Sequence, residues 1–492
     1  MRLIKGARFY DGQSFTNSIR AIFVESGKIT AIMDEIPKDV SGYEVIDLGG
    51  NWAYPGFIDT HTHSFEGGLY SLGVDLGEAK CIADVLQLLA MGREKTRKHL
   101  FAWNFDELKL KEQRFPTRAE LDSAVPDKNL ILRRLDGHSC MINSHACKSL
   151  INAGRKPHCE DEVFRAFDND QTVHWFHNTL DEDTILKAYH AASIKALEGG
   201  FCTIHTMVGD ASDSIGHYSL LKQHLNEFPV DFVLYPQSFN IDAALEVGAD
   251  RVGGCILADG SIGSYTAAMY EPYNGLPIRG NLYQSDQFWR SFITRAHRCN
   301  LQVAVHCIGD RAITQINNVY MELANSDFKD LRHQLIHCEL TDDVLINHIK
   351  ASAAVPVMQP AFDHLWGGDH GFYAKALGQE RARIMNRFGS MIRKGIPVTG
   401  SSDWYVTPLN INLSLGALLD HHNPTEALTP AQAIDIYTKN AAWLSHDEKL
   451  RGSIKVGLDA DFSVLNYGLS TPPPQQQREV KMILKRGELK YG

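Results

Sequence analysis

Between about residue 55 and residue 450, short apolar runs of strand length alternate with stretches of helical period. Eight runs stand out: Gly56–Thr60, Phe201–His205, Asp231–Tyr235, Val252–Ala258, Leu301–His306, Gln334–His337, Ala353–Met358 and Ile396–Gly400. Helical patterns separate most of them, for example Ile82–Leu100 and Ala312–Ala324. Near-continuous apolar strands in alternation with helices predict an α/β fold with parallel strands buried on both faces. Eight such units favour a (β/α)8 TIM barrel over a doubly wound sheet. Nearly a third of the chain separates the first run from the second, far more than one helix needs. An insertion after the first barrel strand, covering about residues 69–184, is therefore expected.

The two ends carry a different pattern. Ala21–Val24 and Ile29–Ile32 flank Glu25-Ser26-Gly27-Lys28, a hairpin signature with the glycine in the turn. Asp461–Leu465, Val480–Leu484 and Arg486-Gly487 read similarly. Neither end can bury a core alone, so the two are expected to pair into one small β-sandwich domain. The expected organisation is thus residues 1–54 as its first part, 55–450 as the barrel with its insertion, and 451–492 as its second part. Pro472-Pro473-Pro474 and the glutamines after it read as a loop within that domain.

Composition narrows the class. A chain of 492 residues, 44% hydrophobic and 22% charged, suits one large barrel plus a smaller module. The net charge of −10 argues against nucleic acid or anionic lipid as a partner and leaves a small-molecule substrate as the expectation. Nine cysteines without a C-x-x-C pair point to reduced thiols and a cytoplasmic location. The start, MRLIKGARFYDG, lacks the apolar core of a signal peptide, and no long uncharged apolar stretch suggests a membrane span. Nothing in the sequence sets the oligomeric state, and a homo-oligomer stays open.

Candidate chemistry collects at the C-terminal ends of the strand runs. The first ends Asp59-Thr60-His61-Thr62-His63, and residues two apart in an extended segment point the same way, so His61 and His63 can face one ion. The fifth ends at His306, the sixth at His337, and the eighth runs into Ser402-Asp403. Strand ends of a barrel meet at one face, and imidazole with carboxylate is a ligand set for zinc and similar divalent ions. A lone H-x-H carries little weight; its strength here comes from two further strand-end histidines and an aspartate in barrel order. Arg133 and Arg134 could hold a substrate carboxylate or a structural acid. Asp363, His364, Trp366 and His370 could line a pocket or form a polar loop, and His421-His422 read as surface.

At this point the residues resemble a known family. Pro55-Gly56-Phe57-Ile58-Asp59-Thr60-His61-Thr62-His63 is similar to the opening metal motif of the amidohydrolase superfamily. Gly199-Gly200-Phe201-Cys202-Thr203-Ile204-His205 looks like its second strand. Arg134-Leu135-Asp136-Gly137-His138, Ala258-Asp259-Gly260-Ser261, Thr266-Ala267-Ala268 with Glu271-Pro272-Tyr273, and His306–Ala312 resemble the YtcJ-like branch, which contains N-substituted formamide deformylases. Gly452–Asp461 is similar to the superfamily's return into its small β domain. The resemblance implies that His61 and His63 bind one metal, that His306 and His337 are the strand-five and strand-six histidines, and that Asp403 contacts metal and attacking water. His138 would reach toward the substrate. A strand-four lysine of this branch can be carboxylated and bridge two metals; here Cys255 holds that position. Cys255 is then either a thiolate ligand or a small buried side chain, and the site holds two ions or one. In the second case His61, His63, His306 and Asp403 would be the ligands and His337 would polarise the substrate.

The resulting expectation is a metal-dependent hydrolase, with one or two divalent ions of which Zn2+ is the first choice. It would cleave an amide-type, non-peptide C–N bond of a small N-acyl or N-formyl compound with metal-activated water. A hydrolytic deaminase or cyclic-amide hydrolase on the same scaffold is the alternative. A non-catalytic binding or assembly protein is the alternative of another class.

Overall fold

A computed structural model describes residues 1–15, 19–94, 96, 98–134, 137, 139–154, 162–212 and 214–492. The chain divides into two compact units, Met1–His63 with Ser193–Gly492, and Ser64–Ala192.

The first unit contains eight parallel strands. They are β1 (Phe57–Thr62), β2 (Phe201–Ser212), β3 (Asp231–Ser238), β4 (Arg251–Leu257), β5 (Gln302–Cys307), β6 (Gln334–His337), β7 (Val355–Met358) and β8 (Thr399–Gly400). They pair as a three-stranded sheet, β3-β2-β1, and a five-stranded sheet, β4-β5-β6-β7-β8. β3 packs beside β4. At the other junction Thr60 Oγ1 donates to Gly400 O at 2.9 Å and Thr62 bridges Trp404 in parallel. Each of the eight expected runs is a strand. Their residues are apolar on both faces because both faces are covered: Met207, Val233, Ala304, Ile336, Val355 and Val357 share one buried cluster. A helix follows β5 over Asp310–Ser326, embracing the expected Ala312–Ala324.

β2 runs well past the expected His205, and β8 is cut to two residues. Pro397 has no amide hydrogen to give a ladder, which accounts for the late start of β8.

Two further sheets of this unit are built from the chain ends, the first from the N-terminal segment alone and the second from both. One orders Lys28–Met33, Ala21–Glu25, Arg2–Lys5 and Glu44–Asp47. The other orders Arg8–Phe9, Trp52–Pro55, Phe462–Leu465, Val480–Lys485 and Glu488–Tyr491. Trp52–Pro55 pairs antiparallel with Phe462–Leu465, which stitches the N-terminal segment to the C-terminal one. Ile4, Phe9, Ile22 and Val24 share a buried cluster with Phe462, Val464 and Leu484, so neither end's apolar face stands alone.

The second unit has its own five-stranded sheet, ordered Phe164–Arg165, Ser139–Ile142, Asn129–Arg134, His99–Phe105 and Val74–Asp75. The helix expected over Ile82–Leu100 ends at Arg93, and His99–Phe105 is a strand. A short apolar run does not reveal its period, and His99-Leu100-Phe101-Ala102 continued the helical pattern by chance. Among the described residues no helix is long and apolar enough to cross a membrane.

Candidate metal centre

The clustered residues lie at the C-terminal ends of β1, β4, β6 and β8. β1 ends in a fully extended segment, so His61 and His63 project to the same side, with ring centroids 5.4 Å apart. β8 delivers Asp403 to them through the main chain. Asp403 N donates to His61 O at 3.1 Å and His63 N donates to Trp404 O at 2.6 Å. Asp403 Oδ1 then stands 3.3 Å from both His61 Nε2 and His63 Nε2.

β4 brings Cys255 in by a bulge. Its pairing with β5 jumps from Gly253–Ala304 to Ile256–Val305. Gly253 and Gly254 both have left-handed backbone, φ 96° and 100°, and a Cβ on Gly254 would sit 1.8 Å from Met207 Sδ. Only glycine fits both the conformation and the space. The Gly253-Gly254 pair was the sequence signal for this bulge, and strand periodicity alone passes over it.

The ligand-type atoms of His61, His63 and Cys255 lie within 4.8 Å of one another, and so do those of His61, His337 and Asp403. His61 belongs to both triads. His306 stands beside them, its ring 4.5 Å from that of His337, and its Nδ1 is 3.6 Å from Asp259 Oδ1. His337 and Asp403 both hold left-handed backbone, φ 70° and 55°. Non-glycine residues adopt it at some cost, and such strain clusters at functional sites. His138 lies outside the described residues.

The electrostatics are those of an ion-pair cluster. Burial would raise the Cys255 thiol, but His337, His61 and His63 outweigh it and hold the thiol well below its ordinary value. Burial would lower His61 and His63, and the Asp403 carboxylate with the Cys255 sulfur raises both instead. Burial would likewise raise Asp403, yet His61 and His63 keep it strongly acidic. His337 is lowered by burial and by the neighbouring His306. Asp59, behind the histidine pair, is pushed by burial up to about 7 although Ser402 and the His61 amide favour its ionised form.

Whether a cation fits can be judged from the donors themselves. His61 Nδ1 and Nε2, Asp403 Oδ1 and His306 Nδ1 are buried and make no hydrogen bond among the described residues. Buried polar atoms are seldom left so, and a set of them gathered at strand ends marks an ion-binding or working group. Thiolate, imidazole and carboxylate together are the donors a zinc-like ion takes. The residues therefore fit a divalent metal.

Other candidates resolve differently. Arg134 Nε donates to Glu107 Oε2 at 2.8 Å, and Arg133 donates to the Gly137 carbonyl. Asp363, His421 and His422 form a third group of ligand type, and here the expectation of surface histidines is corrected: His421 is buried. His421 Nε2 reaches Asn386 O at 3.0 Å, its Nδ1 accepts from Asn423 N at 3.1 Å, and His422 bonds Asp363 and Ala382 O through its two nitrogens. With every ring nitrogen engaged, this group is a structural hydrogen-bond network. The sequence reading missed Gln359, whose Oε1 lies 2.9 Å from His337 Nδ1; a lone glutamine after a strand carries no motif.

Known proteins agree with this architecture. A profile of the amidohydrolase family matches residues 44–491. YtcJ of Bacillus subtilis (strain 168) is 26% identical over 96% of this chain and 96% of its own length. The N-substituted formamide deformylase of Arthrobacter pascens is 23% identical, over 94% of this chain and 93% of its own. A crystal structure of an uncharacterized metal-dependent hydrolase from Pyrococcus furiosus superposes with a TM-score of 0.80 at 22% identity, covering 96% of this chain and 100% of that one. The chain belongs to the amidohydrolase family, on the side of it that YtcJ and the formamide deformylase occupy.

Proposed function

We propose that this chain is a metal-dependent hydrolase that cleaves the amide-type C–N bond of a small N-acyl or N-formyl compound. The observation that carries this reading is the convergence of His61, His63, Cys255, His337 and Asp403 from four strand ends into two triads sharing His61. The fold supports it when the two parallel sheets are taken as one (β/α)8 barrel, joined at β3–β4 and β8–β1, with the terminal sheets as its β-sandwich companion. Strand C-terminal ends are where barrels of this kind carry their chemistry.

His61, His63, Cys255, His337 and Asp403 would hold the ion or ions, with His306 beside them, and the sulfur–imidazole donors favour zinc. When bound, such an ion makes water nucleophilic near neutral pH and polarises a carbonyl. Asp403 accepts the proton that the attacking water gives up and delivers it to the leaving nitrogen. Without that delivery an amide nitrogen would have to leave as an anion. Phe362 stacks on the His337 ring at 5.9 Å and 10°, and Tyr405 lies 6.1 Å from His63, so apolar surface adjoins the polar cluster. A free thiol at the centre of the site suits a reducing compartment such as the cytoplasm.

The test has two parts. Elemental analysis of the purified protein is expected to find one or two equivalents of a divalent metal, and chelation should abolish turnover in a panel of N-formyl and N-acyl amines. Turnover confined to cyclic amides or amino-heterocycles would redirect the reading to the alternative chemistry on this scaffold. Metal-free protein that hydrolyses nothing after reloading would refute it.

A further inference from the structure

Gln359 follows the last residue of β7 and precedes the helix Pro360–Trp366, to which its side chain gives no capping bond. Its side chain is completely buried, and its hydrogen bonds run to His337, to β7 and to the segment after β8. Nε2 donates to Ser401 Oγ at 2.9 Å and to Val357 O at 3.4 Å, while Oε1 lies 2.9 Å from His337 Nδ1.

The neighbours of the amide favour one orientation. A primary amide has two N–H donors on nitrogen and an acceptor oxygen. Val357 O can only accept, so the nitrogen must face it; a flipped amide would set two oxygens against each other. Ser401 agrees, because its own hydroxyl is turned toward Met358 O at 3.4 Å and leaves a lone pair for the amide. With the nitrogen fixed on that side, Oε1 must receive a proton from His337. The imidazole is therefore protonated on Nδ1, and Nε2 is its only nitrogen with a lone pair for a ligand.

We propose that Gln359 is a positioning residue that fixes the tautomer and ring orientation of His337 for metal ligation. This rests on the metal-dependent reading above. Ligating histidines commonly give their other N–H to an oriented acceptor, and losing that acceptor weakens metal affinity by about 10–100-fold. Here the acceptor is a neutral amide. It orients the ring without adding a third anion to a site that already holds Cys255 and Asp403.

Cobalt(II) titration of the metal-stripped, full-length protein tests this, read by affinity and by the visible absorption that reports cobalt geometry. Gln359→Leu keeps the bulk and removes the acceptor. Its cobalt affinity should fall about 10–100-fold with a changed spectrum. Gln359→Glu keeps an oxygen toward His337 and should recover most of the loss. A residue that merely fills space would leave cobalt affinity and spectrum as in wild type in both variants, since both keep its bulk. Wild-type affinity and spectrum in Gln359→Leu overturn the proposal. If that variant does not fold, a crystal structure of the loaded wild type decides. His337 Nε2 at about 2.0–2.1 Å from the ion supports it, and ligation through Nδ1 overturns it. Wild-type protein that takes up no cobalt refutes the metal reading and this inference with it. Wild type and Gln359→Leu that load equally well refute only the role of Gln359.

Discussion

Replacing Cys255 by alanine separates a ligand from a packing residue, because the two roles differ by orders of magnitude in what they cost. As packing, the thiol is a small, partly buried group. Its removal vacates about the space of one methylene, worth about 1 kcal/mol. In a chain of this size that shifts the melting temperature by no more than about 4 °C. As a ligand, the sulfur is the one strand-four donor among His61, His63 and His337, and no other side chain of the first triad replaces it. Loss of several kcal/mol of metal-derived transition-state stabilisation would lower kcat/KM about 10²–10³-fold. The expected result for Cys255→Ala is therefore near-native melting of the metal-free protein, one metal equivalent lost, and activity down by at least two orders of magnitude. Metal analysis, thermal melting and steady-state kinetics on one preparation make the comparison. Thiol reagents add a check on wild type: Cys255 should resist modification until the metal is chelated, since a coordinated sulfur has its reactive lone pair engaged. Unchanged metal stoichiometry in Cys255→Ala, or equal labelling with and without metal, would refute the reasoning and leave a mononuclear site built on the histidines and Asp403.

Asp403→Asn should retain the fold and the bound metal but lose at least about 10²-fold in kcat, because an amide cannot accept and return a proton; turnover within about tenfold of wild type would remove Asp403 from that role. A chain lacking Ser453–Gly492 should be insoluble or melt far lower, since Phe462, Val464 and Leu484 cover Ile4, Phe9 and Ile22. A soluble truncated protein with unchanged melting would show that the ends are independent. Acid sensitivity should trace in part to His333, which burial and then His297 push down to about 3. His333 Nδ1 accepts from Val303 N at 3.0 Å and its Nε2 meets His297 Nδ1 at 2.8 Å, so the folded state has no place for a second proton. Below pH 6.5 the unfolded chain binds a proton that folded His333 refuses, and stability falls as pH drops toward 3. At pH 4.5 the loss is about 3 kcal/mol. Denaturant titrations at pH 7 and 4.5 should show a smaller difference for His333→Asn, and equal losses would clear His333.

The eight parallel strands were legible because burial on both faces leaves a continuous apolar run, a signal that needs no knowledge of partners. The candidate donors were legible for a related reason: a histidine or aspartate at the end of such a run breaks the pattern at a place where barrels do chemistry. What depended on pairing across the chain was not legible. His421-His422 stood beside Asn423-Pro424 and looked like loop, but Asp363 is buried under them and holds both rings. Gln359 was invisible because its meaning lies entirely in Val357 O, Ser401 Oγ and His337 Nδ1. In the second unit Val74–Asp75 and Phe164–Arg165 are two residues each, too short to show a period, and His99–Phe105 was hidden by the helical pattern that runs into it.

The position of Asp403 is the reason to expect that Asp403→Asn keeps the shape of the site. Among the contacts that join the tips of β1 and β8, four follow one another along the chain. Thr60 Oγ1 donates to Gly400 O at 2.9 Å, and Ser402 N donates to Asp59 Oδ2 at 2.9 Å. Asp403 N donates to His61 O at 3.1 Å, and His63 N donates to Trp404 O at 2.6 Å. Two of the four are purely main-chain, and none uses the Asp403 carboxylate. The carboxylate is thus carried to its place 3.3 Å from both histidines by the backbone on either side of it, rather than by its attraction to them. A residue held this way can be altered at its functional atoms while its Cα stays fixed. The strained φ of 55° belongs to the same arrangement, because the main chain must turn at Asp403 to make both bonds to β1. The first and last strands of the parallel set meet along this seam, and the histidine pair and its carboxylate are built on the two sides of it.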